Sequence, residues 1–352
     1  MDTLTHALSG ALLARATAPR AARIAVGARV AAGFCAAALP DGDFVLRYVS
    51  PVAYVTGHRG VTHSILLLPL WALLAAWICA KVDRTPGVAW RDYYLVCALG
   101  IGAHIAGDLI TSFGTMVYAP FSAARVAWST TFVIDLWFTG IILAGLAASW
   151  ARRRSRVPAI LGLAALGGYV GLQGLAHARA IDFGAAYAAQ SGLDPARVSA
   201  IPRPVSPFNW TVMVAEDERY HYANVNLVRA RTPPAPGPNA GLIARLDAAY
   251  AALAHAQWTT VEKYGPDPAL RPLAARAWND PSFEFFRWFA DYPALFRVDR
   301  GNPATCVWFQ DLRFVLPGRD LNLFRFGLCR DADNAAWHTF RLRDDGTRER
   351  AR

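Results

Sequence analysis

Eight residues in the first third of the chain have types and spacing suited to holding a metal ion. Asp2 and His6 are four apart, so a helix puts them on one face. His104 and Asp108 repeat that spacing. Asp41 and Asp43 stand in Pro40-Asp41-Gly42-Asp43, and His58 and His63 in His58-Arg59-Gly60-Val61-Thr62-His63-Ser64. Imidazole with carboxylate suits zinc, manganese or iron. Together these residues exceed four ligands, enough for one or two divalent ions holding a water between them. A cation would also offset carboxylates that otherwise repel. Singly, each has a plainer reading: a lone His in an apolar run is usually packed and hydrogen-bonded, and Asp41 with Asp43 fits an ordinary turn. Their joint occurrence points to a metal. Asp135 suits a bond to a neighbouring helix equally well. Arg59 suits a substrate-phosphate clamp or a lipid-headgroup contact.

The elements that must position these residues are apolar. Of 352 residues, 54% are hydrophobic and 18% charged, and mean hydropathy is +0.22. A soluble domain carries about 25% charged residues. This balance excludes disorder, a collagen repeat and a disulfide-dense scaffold, and it assigns part of the chain to lipid. Runs 61–80, 93–112, 131–150 and 157–176 hold at most one charged residue each. Each is about as long as a helix that crosses a bilayer. Run 24–39 carries Arg29 and is a weaker span, and 4–14 suits a short or half-inserted helix. The chain is thus expected to be a polytopic α-helical membrane protein of five to six spans.

The net charge is +10, and its placement decides its meaning. Arg15, Arg20 and Arg23 follow the first run; Lys81, Arg84 and Arg91 follow the third; Arg152, Arg153, Arg154 and Arg156 follow the fifth. The alternate loops hold only Arg47, Arg59 and Arg125. Positive loops face the cytoplasm, so the charge needs no nucleic acid. The N-terminus, the alternate loops and everything after the sixth run then fall outside, in the periplasm of a bacterium. The candidate ligands converge on that same outer face, although the arginines alone set the topology.

After about residue 178 the composition turns polar. The division expected is a transmembrane domain over 1–177 and a periplasmic α+β domain over 178–352. Segments 210–214, 220–228, 306–316, 321–328 and 337–342 are rich in aromatic and β-branched residues and read as strands. Segments 242–263 and 282–290 read as helices. Pro195, Pro202, Pro204 and Pro207 mark a connector, and 233–238 a loop. The aromatic stretch 283–289 suits a core or a face resting on the membrane. Cys306 and Cys329 are candidates for a disulfide, which that compartment permits; two buried thiols fit as well.

The motifs together resemble the YdjM-like family of membrane-bound, metal-dependent hydrolases, some of them LexA-regulated. The resemblance rests on Met1-Asp2-Thr3-Leu4-Thr5-His6 and on the blocks around Asp41, His58 and His63. It extends to His104-Ile105-Ala106-Gly107-Asp108 and to Pro120-Phe121. It covers roughly the first 150 residues and implies an inner-membrane protein. It further implies a metal site formed by Asp2, His6, Asp41, Asp43, His58, His63, His104 and Asp108. Residues 178–352 resemble the extra domain of longer family members.

The function expected is hydrolysis at the periplasmic face, with zinc first among the metals. Asp43 or Asp108 would serve as general base, and Arg59 would bind substrate. Membrane lipids are the expected partners, and a lipid-like phosphoester the expected substrate. The alternative is a non-enzymatic scaffold or an ion- or proton-coupled transporter. Transport calls for ionisable groups near the midplane, whereas here they stop at one face.

Overall fold

The N-terminal apolar runs fold as helices, but not always over the lengths the sequence predicts. The computed structural model describes all residues except 20–22, 238, 302–303, 320–321, 323, 332–335 and 352. The expectations at Arg20, Pro238, Leu321 and Leu323 lie outside the described residues. Two compact units divide the chain: Met1–Val45 with Gly57–Leu175, and Leu46–Thr56 with Ala176–Arg352.

In the first unit, α1 spans Thr3–Ala16, α2 Val26–Ala38 and α5 Trp90–Leu109. These three pack through small residues. A methyl group on Gly33 would lie 2.6 Å from both the Gly10 carbonyl and Ala14 Cβ, and one on Gly100 would lie 2.9 Å from the Gly33 carbonyl. Only glycine permits backbones that close.

The run 61–80 is not one helix. A short α3, Pro51–Gly57, and a 3₁₀ turn, Val61–His63, precede α4, Leu68–Val82. The direction changes by 79° between Pro51–His63 and Leu68–Val82. Two features cause the break. Pro69 sits at the start of α4, where its missing N–H does no harm. Ser64 is extended and donates its hydroxyl to the Ala119 carbonyl at 2.6 Å. The run 131–150 is also shortened, because Asp135 caps α6, Leu136–Ala151, by accepting from the Trp137 and Phe138 amides. By contrast α7, Val157–Gln190, continues well past its apolar run. Among the described residues α7 is the one helix long and apolar enough to cross a membrane by itself. The bent pair makes a second if it counts as one span. The sequence predicts five to six.

Two arginines of this unit, one of them the topology-marking Arg15, reach carbonyls at or beyond helix ends. Arg15 donates to the Arg153 and Ser155 carbonyls at 2.8 Å each, just past α6. Arg29 donates to the Ala14 carbonyl of α1 at 3.1 Å. Such carbonyls lack partners within their own helix.

The second unit is α+β. Its first sheet comprises β1 Val198–Pro202, β2 Asn209–Ala215, β3 Arg219–Asn226, β4 Ala251–Ala252 and β5 Thr259–Glu262. Its order is β1-β2-β3-β4, with β5 also on β3; only the two-residue β3–β4 pairing is parallel. The second sheet comprises β6 Pro293–Arg300, β7 Ala304–Asp311, β8 Arg325–Asp331, β9 His338–Leu342 and β10 Arg348–Arg350. It is a meander of order β10-β9-β8-β7-β6. Helices α8 Leu242–Ala248, α9 Arg271–Asn279 and α10 Glu284–Phe289 complete the unit. The predicted helix 242–263 is therefore only α8, followed by β4 and β5. The proline-marked connector contains β1. Phe283, Phe286 and Phe289 are fully buried, so the aromatic stretch is core. Cys306 and Cys329 lie opposite each other on β7 and β8 and form a disulfide.

Candidate metal centre

Three elements of the first unit deliver four ligand atoms to one point. Asp41 comes from the 3₁₀ segment Pro40–Tyr48, directly after α2. His63 comes from the turn before α4, and His104 and Asp108 from adjacent turns of α5. One atom of each lies within 4.8 Å of all the others, and all four residues are buried. His63 Nε2 and His104 Nε2 are 3.0 Å apart. Asp108 Oδ2 is 3.1 Å from the first and 3.4 Å from the second. Asp41 Oδ1 is 3.7 Å and 3.6 Å from the same two nitrogens. A tetrahedral ion with bonds of about 2 Å sets its donors roughly 3.3 Å apart. These five separations bracket that spacing.

Each residue is anchored by one polar atom and aims the other at the centre. His104 Nδ1 lies 2.6 Å from the Ala37 carbonyl, so it carries the proton and donates it. Its Nε2 is left with a lone pair. His63 Nδ1 lies 2.9 Å from Thr62 Oγ1, which donates onward to Asp43 Oδ2 at 2.7 Å. Asp41 Oδ2 accepts from Thr3 Oγ1 at 2.7 Å, leaving Oδ1. Asp108 Oδ1 accepts from Arg59 at 2.8 Å and faces His6 Nε2 at 3.0 Å and the Met1 amino group. Asp108 Oδ2 is buried with no hydrogen bond. Two imidazole nitrogens and two carboxylate oxygens thus converge on one point, an arrangement that could hold a cation. Outer partners that fix the tautomer in this way are typical of metal-bound histidine.

The two loop carboxylates are held ionised. Burial by itself raises the Asp41 carboxyl, but its neighbours His63, His104 and the Thr3 hydroxyl outweigh it and hold it below the ordinary range. Burial likewise acts against Asp43, and its bonds to His58 and His63 prevail. Ionised is the state a ligand needs.

The other expected ligands take supporting places. Asp43 holds His58 Nδ1 at 2.6 Å, the Arg59 amide at 3.1 Å and the Thr62 hydroxyl, so it shapes the loop behind His63. His58 therefore faces Asp43 and is not in the four-donor group. His6 stacks on His104, with ring centroids 3.7 Å apart. Asp2 caps α1, accepting from Thr5 N at 3.0 Å and Thr5 Oγ1 at 2.6 Å. Arg59 is buried and also donates to Thr111 Oγ1 at 2.8 Å; its backbone is left-handed, with φ 60°. That kink lies between His58, which bonds Asp43, and His63, whose Nε2 reaches the four-donor group. Asp135 accepts from Tyr169 and Gln173 of α7, so it does bond a neighbouring helix. Sequence reasoning misses Thr3, Thr62 and Thr111. Their signal is slight: each is a hydroxyl within three residues of a candidate ligand. The Ala37 carbonyl has no sequence signal.

The model of the YdjM inner membrane protein family matches residues 1–180. No family covers the C-terminal extension. An uncharacterized Bacillus subtilis (strain 168) protein, YfhP, is 31% identical over 88 residues, 25% of this chain. The chain spans 26% of that relative's length. No solved structure matches the chain.

Proposed function

The chain belongs to the YdjM inner membrane protein family, and from that premise we propose that it is a membrane-embedded, metal-dependent hydrolase working at the periplasmic face. The observation that carries this reading is the set of four inward-facing ligand atoms on Asp41, His63, His104 and Asp108. The donor set of two imidazoles and two carboxylates suits zinc first, with manganese and iron as alternatives. A bound divalent ion supplies Lewis-acid polarisation and acidifies a water. Asp43, linked to His63 through the Thr62 hydroxyl, would take a proton as general base. Arg59 neutralises Asp108 and orients it. Asp41 and His58 form the more exposed edge, with side chains 10% and 11% accessible against 0% for His63, His104 and Asp108. Substrate would approach there.

A lipid phosphoester is the substrate proposed. The ligand-bearing segment exposes Phe44 and Val45 beside its buried aspartates, a surface suited to acyl chains. The proposed topology is five or six crossings built on the apolar runs, with the arginine-rich loops cytoplasmic and residues 178–352 periplasmic. The Cys306–Cys329 bridge supports an oxidising location for that domain.

One observation favours a second reading. Four protein donors already complete a tetrahedron, the pattern of a closed, structural zinc site. On this reading the ion stabilises a membrane scaffold. The deciding experiment is metal analysis of the detergent-purified protein beside His104→Ala, followed by lipid phosphoester turnover. About one or two equivalents of a transition metal, lost in the variant, with turnover that follows the metal, supports the hydrolase. Metal without turnover of any lipid or soluble ester supports the scaffold. No metal after reloading with zinc and manganese removes both.

A further inference from the structure

The part of the second unit that follows residue 176 buries its large apolar side chains well, with one exception among the described residues. After residue 176 the large hydrophobics that stand exposed among the described residues are Val228, Leu242 and Ile243. All three belong to one excursion that leaves β3 and returns through α8. Its ends are pinned together. Arg229 donates to Asp247 Oδ2 at 2.7 Å and to the Tyr250 carbonyl at 2.7 Å. The Thr232 hydroxyl accepts from the Ala252 amide at 3.1 Å. The two arms of the projection are therefore held together, and Val228, Leu242 and Ile243 are held out on them.

The charge of this projection has one sign. From Val228 to Leu246 the sequence has Arg229, Arg231 and Arg245 and no Asp or Glu. Asp247 answers Arg229. Arg231 and Arg245 are exposed and have no ion pair among the described residues. Exposed aliphatic side chains flanked by arginines, without acids, are the chemistry of a segment that rests in an anionic lipid interface. A protein partner of acidic character would answer the arginines, but a chain of an inner-membrane family already has anionic lipid within reach of any tethered domain.

We infer that the 228–245 projection is a lipid-docking element that seats Val228, Leu242 and Ile243 in the headgroup region of an anionic bilayer. This assigns a role to the extension that no family covers, and it does not depend on the metal centre. The arginines draw the projection to phosphatidylglycerol-type headgroups, and the aliphatic side chains enter the acyl boundary.

The test uses the full chain in lipid nanodiscs and reads backbone hydrogen exchange. The first-turn amides of α8 lack partners within the helix and exchange fast in water. Discs of phosphatidylcholine alone are compared with discs holding about a third phosphatidylglycerol. The expected result is exchange over 242–244 slowed roughly fivefold or more in the anionic discs, with the 344–347 turn unchanged. Arg231→Glu with Arg245→Glu, both at exposed positions, should remove the difference. Equal exchange in both discs overturns the inference. Protection that ignores lipid charge and rises with protein density also overturns it, and assigns the patch to a second copy of the chain.

Discussion

Both units bury carboxylates beside cations, and they do so differently. In the second unit Asp311 is fully buried. Its oxygens take the Arg313 amide at 2.9 Å, Arg313 Nε at 2.8 Å and the Asp291 amide at 3.1 Å. Arg313 in turn reaches Asp291 at 2.6 Å and the Phe289 carbonyl at 2.6 Å. Burial disfavours the Arg313 charge, yet Asp311 and Asp291 outweigh it and raise its pKa further. That network is complete from within. In the first unit the anchoring atoms are equally well served, but four others converge within 4.8 Å of one another, and one of them, Asp108 Oδ2, is buried without a hydrogen bond. A closed network serves structure; one whose ligand atoms converge could hold a metal ion.

The sharpest way to break this comparison is to remove a converging atom. His63→Ala should bring bound metal to background on elemental analysis, whereas His58→Ala should keep most of it. Equal loss in both would return His58 to the ligand set. The next effect belongs to the closed network. Asp311→Ala leaves Arg313 buried without its main partner and should cost about 3–5 kcal/mol, read by denaturant unfolding of the second unit, with metal content unchanged. Metal loss there would contradict the independence of the two networks. A smaller effect tests the packing that aligns α2 with α5. Gly33→Ala should destabilise the first unit by about 1–3 kcal/mol through overpacking and weaken metal retention, because it displaces the backbone that carries Ala37. Thermal unfolding with and without chelator checks this. The smallest effect is Asp2→Ala, about 1 kcal/mol for a lost cap, with metal stoichiometry intact. Metal loss in that variant would make Asp2 a ligand after all.

Helical spacing makes part of the centre legible in the amino-acid sequence. His104 and Asp108 share a face of α5 as their separation requires. The same argument joins Asp2 to His6, but Asp2 precedes the helix and spends its carboxylate on Thr5. The choice of His63 over His58, and of Asp41 over Asp43, is hidden. It depends on a left-handed Arg59 and on 3₁₀ geometry, which residue spacing does not encode. Run 61–80 shows the limit of hydropathy: twenty apolar residues look continuous, while Pro69 and the Ser64–Ala119 bond impose a bend. In the second unit, alternation finds β2, β3, β7, β8 and β9 but passes over β6, β10 and β1, whose segment reads as proline-rich. It also takes α8, β4 and β5 for one helix, because short elements in series average to a helical pattern.

The Ala37 carbonyl that fixes His104 has a consequence for how this site can change. A tautomer set by a side-chain acceptor can be erased by one codon. Here the acceptor is main chain, so no substitution at position 37 deletes it; only moving α2 does. Ala37 is itself fully buried, and a methyl on Gly10 would collide with its Cβ. Mutational drift can therefore detune His104 only by reshaping the helix packing, and the proton on Nδ1 is inherited with the fold.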